Sequence, residues 1–214
     1  MKLVIQLLLW IVIIFLGYLV FNSVYDPIQF NKVKEKRYTK VIERLQDVRA
    51  AQLAHQEITG TFAKDFDNLV KFIDTAEFVL TQRRDSTILD EEYRKAFGVD
   101  KQKDIVIIDT LGYASVKDSL FKGDRYKKMM FVPIEGVDAK FDMNAGTVTK
   151  NENKFPVFEA KVNKSVILHD QDPDLVMQEK QVVSVDGVNG AYIRVGSMNE
   201  VNTTGNWPTV YGSN

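Results

Sequence analysis

Residues 3–21 have the sequence LVIQLLLWIVIIFLGYLVF, and this stretch decides how the chain is organised. It contains one strongly polar side chain, Gln6. At about 1.5 Å of rise per residue, a helix of this length covers roughly the 30 Å hydrocarbon core of a bilayer. Because lipid offers the backbone no hydrogen-bond partners, a helix is the form that such a segment must take there. The sequence therefore predicts a membrane helix near the amino end.

This segment fits either a retained signal anchor or a cleaved signal peptide. Met1-Lys2 supplies a short basic start in both cases. The apolar run is longer than the roughly 7–15-residue core of a signal peptide, and residues 19–23 contain no small-residue cleavage site. We therefore predict a transmembrane signal anchor over residues 1–25.

The orientation of the span has two opposing indications. Five basic residues lie within 32–40, against Lys2 and the amino terminus before the span, and the positive-inside rule then places the head in the cytoplasm. A very short basic start followed by a long apolar run is instead typical of an exported head. We predict a single-pass inner-membrane protein whose soluble head is periplasmic.

The composition of the chain is that of a globular domain behind an apolar segment. It is 45% hydrophobic and 27% charged, so the residues after the span can bury a core. The formal net charge of −1 gives no attraction to polyanions, and we predict no nucleic-acid partner. The sequence has no cysteine, which excludes disulfides, thiolate metal sites and a cysteine nucleophile among these residues.

Residues 26–60 have helical periodicity and predict an amphipathic stalk helix. Apolar side chains recur at three- and four-residue steps, at Tyr38, Val41, Ile42, Leu45 and Val48. The polar part at 32–40 predicts an exposed stalk. We predict a break or a helix start at Asp26-Pro27 and a helix stop at Gly60.

The remaining residues, 61–214, predict a soluble head in which helices precede strands. One short helix follows the capping residue Asp65, a charged loop covers 82–86, and another short helix ends at Gly98. Six to eight strands are expected after Asp100. They include a buried strand at 105–108, a strand at 127–134, one at 155–162, and hairpins turning at 144–146 and 186–190. This order predicts an α+β fold with a mainly antiparallel sheet.

Residues 44–73, RLQDVRAAQLAHQEITGTFAKDFDNLVKFI, carry a resemblance to a known family. The segment resembles the place where the long amino-terminal helix of type IV pilins and type II secretion pseudopilins gives way to the globular head. The matching positions are Arg49, Ala51, His55, Gly60, Phe62, Phe66 and Leu69. The chain has neither the basic leader nor the early Glu of those proteins. The resemblance therefore implies a pilin-like head on an uncleaved anchor.

The last third of the chain has a second resemblance. Residues 193–197 (IRVGS) and 205–208 (GNWP) look like segments of uncharacterised envelope proteins of Bacteroidota-type bacteria. This resemblance implies a place in the cell envelope.

A dense acidic segment is the candidate metal site. Asp170, Asp172 and Asp174 have the every-other-residue spacing of a calcium-binding loop. Leu175 and Gln181 stand where such a loop has its turn glycine and its bidentate glutamate. The alternative is a solvated loop in which one of these aspartates caps a following helix. We expect no other cofactor, and calcium is the one metal that the spacing suggests.

The sequence shows no recognisable catalytic constellation. His55 and His169 are the two histidines, and neither lies in a Ser/His/Asp motif or a G-x-S-x-G turn. Gly187 and Gly190 are not followed by the lysine of a phosphate-binding loop. We predict that the protein is not an enzyme, and a hydrolase with an unfamiliar site remains the catalytic alternative.

These observations lead to two functional hypotheses of different classes. The first is a non-catalytic structural or assembly component of a secretion or surface machine, with the membrane and other envelope proteins as partners and with self-association as a further possibility. The second is a tethered ligand- or calcium-binding module.

Overall fold

The computed structural model describes residues 2–211 and has the α+β fold that the sequence predicts. The α-helices are α1 (Lys2–Thr59), α2 (Phe66–Thr75), α3 (Glu91–Phe97), α4 (Val116–Leu120), α5 (Lys164–Ile167) and α6 (Pro173–Lys180). The strands are β1 (Glu77–Leu89), β2 (Gln102–Ser115), β3 (Asp142–Lys150), β4 (Asn153–Asn163) and β5 (Tyr192–Gly196). Two 3-10 turns lie at Arg125–Lys128 and Thr209–Tyr211.

Helix α1 is one continuous element that includes Pro27. The predicted break at Asp26-Pro27 is therefore wrong. Proline removes one backbone hydrogen bond from a helix. Here the long apolar segment before Pro27 and the core-facing segment after it are both helical, and α1 continues past Pro27 despite the missing hydrogen bond.

The second half of α1 forms the centre of the core. Its buried side chains recur at helical spacing, at Phe30, Tyr38, Val41, Ile42, Leu45, Val48, Ala51 and Ala54. The exposed stalk predicted over 32–40 is only partly confirmed. Five of these nine residues are exposed, but Tyr38 is buried and Lys34 and Arg37 form ion pairs with the head, so the segment packs against the head on one side. Those polar side chains reach acidic partners that are distant in sequence, which a local pattern does not reveal.

The link between α1 and α2 follows the sequence prediction. Gly60 has a φ of 78°, in the left-handed region that glycine tolerates, and α1 ends just before it. The buried amide of Gln52 exchanges two hydrogen bonds of 2.9 Å with the backbone of Ala63. The Asp65 carboxylate accepts from the Asn68 N–H at 2.8 Å and caps α2.

The main sheet has three antiparallel strands in the order β3-β4-β5. The hairpin predicted at 144–146 is wrong, because β3 continues through these residues and turns at Asn151 and Glu152, both with positive φ. Gly146 serves packing instead of a turn. A Cβ there would lie 3.2 Å from the Met198 side chain.

Two further strand predictions fail. The strand expected at 127–134 does not form, because Lys127 and Lys128 end a 3-10 turn and the residues after them are irregular apart from one bridge between Phe131 and Lys140. Tyr126 in this turn and Met129 just after it are both buried, at the three-residue spacing of a 3-10 helix. The hairpin turning at 186–190 does not form, because β5 pairs with β4 while residues 182–185 lie outside any strand. After Asp100 the described chain thus has four strands instead of the expected six to eight, and the fifth strand, β1, lies before Asp100. The strand predicted at 155–162 is confirmed within β4.

Candidate functional site

The apolar half of α1 is exposed along its whole length. Between Leu3 and Phe21 the large apolar side chains each expose 44% to 81% of their surface. Among residues 2–211, α1 is the one helix long and apolar enough to cross a membrane. Soluble monomers rarely expose contiguous apolar patches of more than a few hundred Å². The structure thus contains the candidate membrane helix that the sequence predicts.

The head begins close to this apolar segment. Phe30 is the first buried side chain described along α1, and it lies nine residues after Phe21, which corresponds to about 14 Å of helix. Arg37 donates to both carboxylate oxygens of Asp170, at 2.5 and 2.8 Å, and to the carbonyl of Ile167 at 2.9 Å. Because the same helix continues into the core, the head is fixed to the apolar segment without a flexible linker.

A buried polar cluster joins α1 to α5 and α6. The Lys164 side chain is fully buried, and its Nζ donates to the Glu179 Oε1 at 3.0 Å and to the carbonyls of Glu179 and Val188, each at 2.7 Å. The Tyr38 hydroxyl donates to Glu179 Oε1 at 3.2 Å, and the Lys34 Nζ donates to Oε2 at 3.0 Å. Each of these donors has an acceptor, so the cluster is organised to hold the head on α1.

The cluster perturbs its own ionisable groups. Burial raises the pKa of Tyr38, and the neighbouring Glu179 adds to that increase, so the phenol remains a donor. Burial also lowers the pKa of Lys164, while the hydrogen bond and the charge of Glu179 oppose the decrease. Sequence analysis missed the cluster, since nothing in the neighbours of Lys164 distinguishes it from a surface lysine.

The three aspartates of the predicted calcium loop have different roles. Asp170 pairs with Arg37, whose hydrogen bonds hold the pKa of Asp170 well below its usual range. Asp172 caps α6 by accepting from the N–H groups of Asp174 and Leu175, at 2.9 and 3.1 Å. Within the described residues, no group of three His, Cys, Asp or Glu side chains could hold a metal ion. Calcium binding here stays a prediction, and it would require Asp170 to leave Arg37.

The two histidines lie in different settings. His55 Nδ1 is 2.6 Å from the Thr61 carbonyl, and its ring packs on Phe72 with centroids 4.7 Å apart. These contacts fix the end of α1 against α2. His169 is exposed, and its Nε2 lies near Gly136. The structure does not bring the two histidines into one described site.

A polar groove of about 900 Å³ lies over the outer face of the main sheet. Its central group is Glu159, which is buried except for 7% of its surface. Its carboxylate accepts from Lys161 at 2.6 Å and from Arg194 at 3.4 Å. The hydrogen bond and the charge of Glu159 raise the pKa of Lys161. The carboxylate of Glu159 already accepts hydrogen bonds from two cations, so it is poorly placed to act as a base.

The second sheet is a long two-stranded ribbon, residues 77–115, which we call the arm. Strands β1 and β2 pair antiparallel from Glu77 opposite Ser115 to Leu89 opposite Gln102, with one irregularity after Leu80. At about 3.4 Å per residue, the 13 residues of β1 extend roughly 44 Å. Helix α3 lies at the tip, and α4 contacts β2 at the base.

The arm is exposed on both faces. All residues of β1 and β2 are described, and none of them is buried. The charged loop predicted at 82–86 is wrong, since these residues belong to β1, where Arg84 pairs with Asp109 at 3.1 Å. The strand predicted at 105–108 exists within β2, but it is not buried, and Ile108 exposes 66% of its surface. Apolar residues without a covering element indicate a surface for a partner.

Comparison with models of protein families, with curated proteins and with solved structures found no match to this chain.

Proposed function

We propose that this protein is a single-pass envelope protein that acts as a non-catalytic assembly component of a secretion or surface machine. The observation that carries the proposal is the division of α1 into an exposed apolar half and a half buried in the head. The apolar half is anchored in the inner membrane, and the head lies in the periplasm.

The continuity of α1 supports an assembly role. A head that is fixed on its membrane helix keeps one orientation relative to the bilayer, which a subunit of an ordered machine requires. In the pilin resemblance, too, a long amino-terminal helix leads directly into a globular head. This agreement supports the pilin-like part of the proposal.

The arm provides the surface for partners. It extends away from the core and carries exposed apolar side chains, which include Leu111, Tyr113 and, in α3 at the tip, Phe97. Interfaces are enriched in aromatic residues at their centre. We assign other envelope proteins and further copies of this chain as its partners.

Membrane extraction of the full chain tests the anchor. We expect the protein to remain in the pellet after carbonate washing. Substituting Leu9 and Ile13 together by Asp places two carboxylates near the centre of the span, which opposes insertion by about 5 to 7 kcal/mol. That variant should appear in the soluble fraction. Val183→Asp is the matched control, because Val183 is 90% exposed on the head and should not affect retention.

Two outcomes of this experiment would contradict the anchor. One is a wild-type chain that washes into the supernatant, and the other is a double Asp variant that is retained as well as Val183→Asp. Protease treatment of spheroplasts tests the orientation on the same material. Digestion of the head in spheroplasts supports the periplasmic location, and protection until the cells are lysed refutes it.

Site-specific photo-crosslinking in intact membranes tests the assembly role. A crosslinking residue at Leu111 or Tyr113 of the arm should give discrete adducts, because both side chains are 67% exposed on the partner surface. The same residue at Val183 is the control for random contact. The proposal would be refuted if none of the three positions gave a crosslinked adduct. It would also be refuted if Leu111, Tyr113 and Val183 all gave the same diffuse adducts.

A further inference from the structure

Both edges of the arm are available for pairing. In the part of the chain that the structure describes, the sheet of the arm consists of β1 and β2 alone. Two-stranded ribbons are marginally stable in water, and three or more strands are much more stable. Open edges also offer backbone N–H and C=O groups to another strand. A further strand would therefore complete the arm.

We propose that β2 pairs antiparallel with β2 of a second copy of this chain, with Val106 on the two-fold axis. The inference rests on the proposed assembly function and names one partner for it. The two arms together form a four-stranded sheet in the order β1-β2-β2-β1.

Symmetry restricts which residues can face each other. A two-fold axis perpendicular to the sheet keeps the same face of both ribbons on the same side, so facing residues are separated by an even number of positions. With Val106 on the axis, Lys103 faces Asp109 of the second copy, and Ile105 faces Ile107. Each of these pairs occurs twice.

The pairing matches charge with charge and apolar with apolar on one face. Ile105 and Ile107 are half-buried, and they would form a cluster of four isoleucines at the centre of the joined sheet. Lys103 and Asp109 would close this cluster at both ends with ion pairs. Opposite charges that face each other across strands are stabilising, and like charges are destabilising.

The edge of β1 is less suited to pairing with itself. The register that places Arg83 opposite Asp85 of a second copy also places Arg84 opposite Arg84 of that copy. These two like charges would meet on the axis, where neither can avoid the other. The β2 register has no such conflict, and for this reason we assign the interface to β2.

Disulfide trapping tests the axis. The chain has no cysteine, so Val106→Cys introduces a single thiol into the full-length protein in its membrane. Residues that face each other in an antiparallel pair have Cα atoms about 4.5 to 5.5 Å apart, which a disulfide can bridge. Val106→Cys should therefore give a covalent dimer under mild oxidation. Ile108→Cys is the matched control. Position 108 of the second copy would lie four residues further along the strand, roughly 14 Å from position 108 of the first copy.

The β1 edge is tested in the same way. Arg84→Cys places the thiol at the corresponding axis of a β1 pair. We expect it to crosslink at the level of Ile108→Cys, at least tenfold below Val106→Cys. Preferential crosslinking of Arg84→Cys would overturn the assignment to β2.

A charge exchange tests the register. In the Val106→Cys background, Lys103→Asp alone creates two like-charge pairs, and we expect it to reduce dimer formation about tenfold. Asp109→Lys creates two such pairs as well, but it also breaks the ion pair of Asp109 with Arg84 inside the arm, so Lys103→Asp is the single variant that tests the register. Coexpression of the two differently tagged variants restores both opposite-charge pairs. A mixed disulfide dimer should then form at the level of the parent chain.

Several results would overturn the inference. The first is a Val106→Cys thiol that reacts with maleimide but forms no dimer. The second is crosslinking of Ile108→Cys at the level of Val106→Cys. The third is a single charge variant that dimerises as well as its parent. Carbonate extraction of the same membranes separates this failure from that of the proposed function. A chain that is retained in the membrane and crosslinks to other proteins, but not through Val106, leaves the anchor and the assembly role standing.

Discussion

Glu179→Gln tests the role of the buried cluster in holding the head on α1. The substitution keeps the size of the side chain and removes its charge. The Lys164 ammonium, which is fully buried, would then be left with neutral acceptors, among them the carbonyls of Glu179 and Val188. An unpaired buried charge is strongly destabilising, because the protein cannot replace the solvation that the ion has lost.

The structure sets the size of the expected effect. Removing one partner of a buried ion pair costs about 3 to 5 kcal/mol. We expect the lower end, about 3 kcal/mol, since the amide oxygen of Gln can still accept from Lys164 and Lys34. For a chain of this size each kcal/mol corresponds to about 2 to 4 °C, so the melting temperature should fall by roughly 6 to 12 °C.

Chemical and thermal unfolding of the full chain in detergent measures this loss. Glu159→Gln is the matched control, because Glu159 and Glu179 are equally buried, at 7% and 6% exposure. The cations beside Glu159 are solvated, with side-chain exposures of 30% for Lys161 and 49% for Arg194. Its loss should therefore cost no more than about 1 kcal/mol.

The pH dependence gives a second readout. Burial lowers the pKa of Lys164, and removal of Glu179 removes the group that opposes this decrease. The unfolded chain then binds more protons than the folded one between the lowered pKa and about 10.4, and stability rises with pH in that window. The deficit of Glu179→Gln should therefore shrink as the pH is raised toward 9.5.

Two results would refute this account of the cluster. Equal losses for Glu179→Gln and Glu159→Gln would mean that the buried ammonium is not the source of the cost. Adding Lys164→Met to Glu179→Gln removes the unpaired charge and should recover stability. If the double variant is no more stable than Glu179→Gln alone, the buried ammonium is again not the source of the cost.

Two other predictions concern the sheet and the Arg37 ion pair. Gly196→Ala should destabilise the head by several kcal/mol, about 3 or more, because φ is 75° and a Cβ would lie 2.2 Å from the Phe158 carbonyl oxygen. Gly190→Ala, with a similar φ and no atom within 4 Å, should cost only about 1 to 2 kcal/mol in the same urea titration, and equal costs would contradict the clash. The pairing with Arg37 lowers the pKa of Asp170, so its stabilisation is present above the unfolded pKa of about 3.9 and is lost as the pH falls from there toward the lowered value. Asp170→Asn should flatten the acid limb of the stability curve, and an unchanged slope would refute the linkage.

The candidate interaction surfaces were only partly predictable. The strand at 105–108 was expected, but its apolar residues suggested a buried position, and the charged residues 82–86 suggested a loop. In the structure these two segments pair with each other outside the core. The sequence of a strand records which residues lie on the same face, but not whether anything covers that face.

The sequence by itself determined the elements whose signals are local. A run of apolar residues near the amino end specifies a long exposed helix, Asp65 caps α2, and Gly60 ends α1, since each depends on neighbours within a few positions. The α+β class was predictable as well, although the structure alternates helices and strands after α2 instead of placing all helices before the strands.

The tertiary structure alone decided burial and pairing. Lys164 is buried because Glu179 and Val188 reach it from other parts of the chain, and β5 pairs with β4 instead of residues 182–185. Such contacts join residues that are distant in sequence: Lys164 and Glu179 are 15 positions apart, and Glu159 and Arg194 are 35 positions apart. Their free energy depends on what the rest of the fold brings to the same place, which no local pattern records.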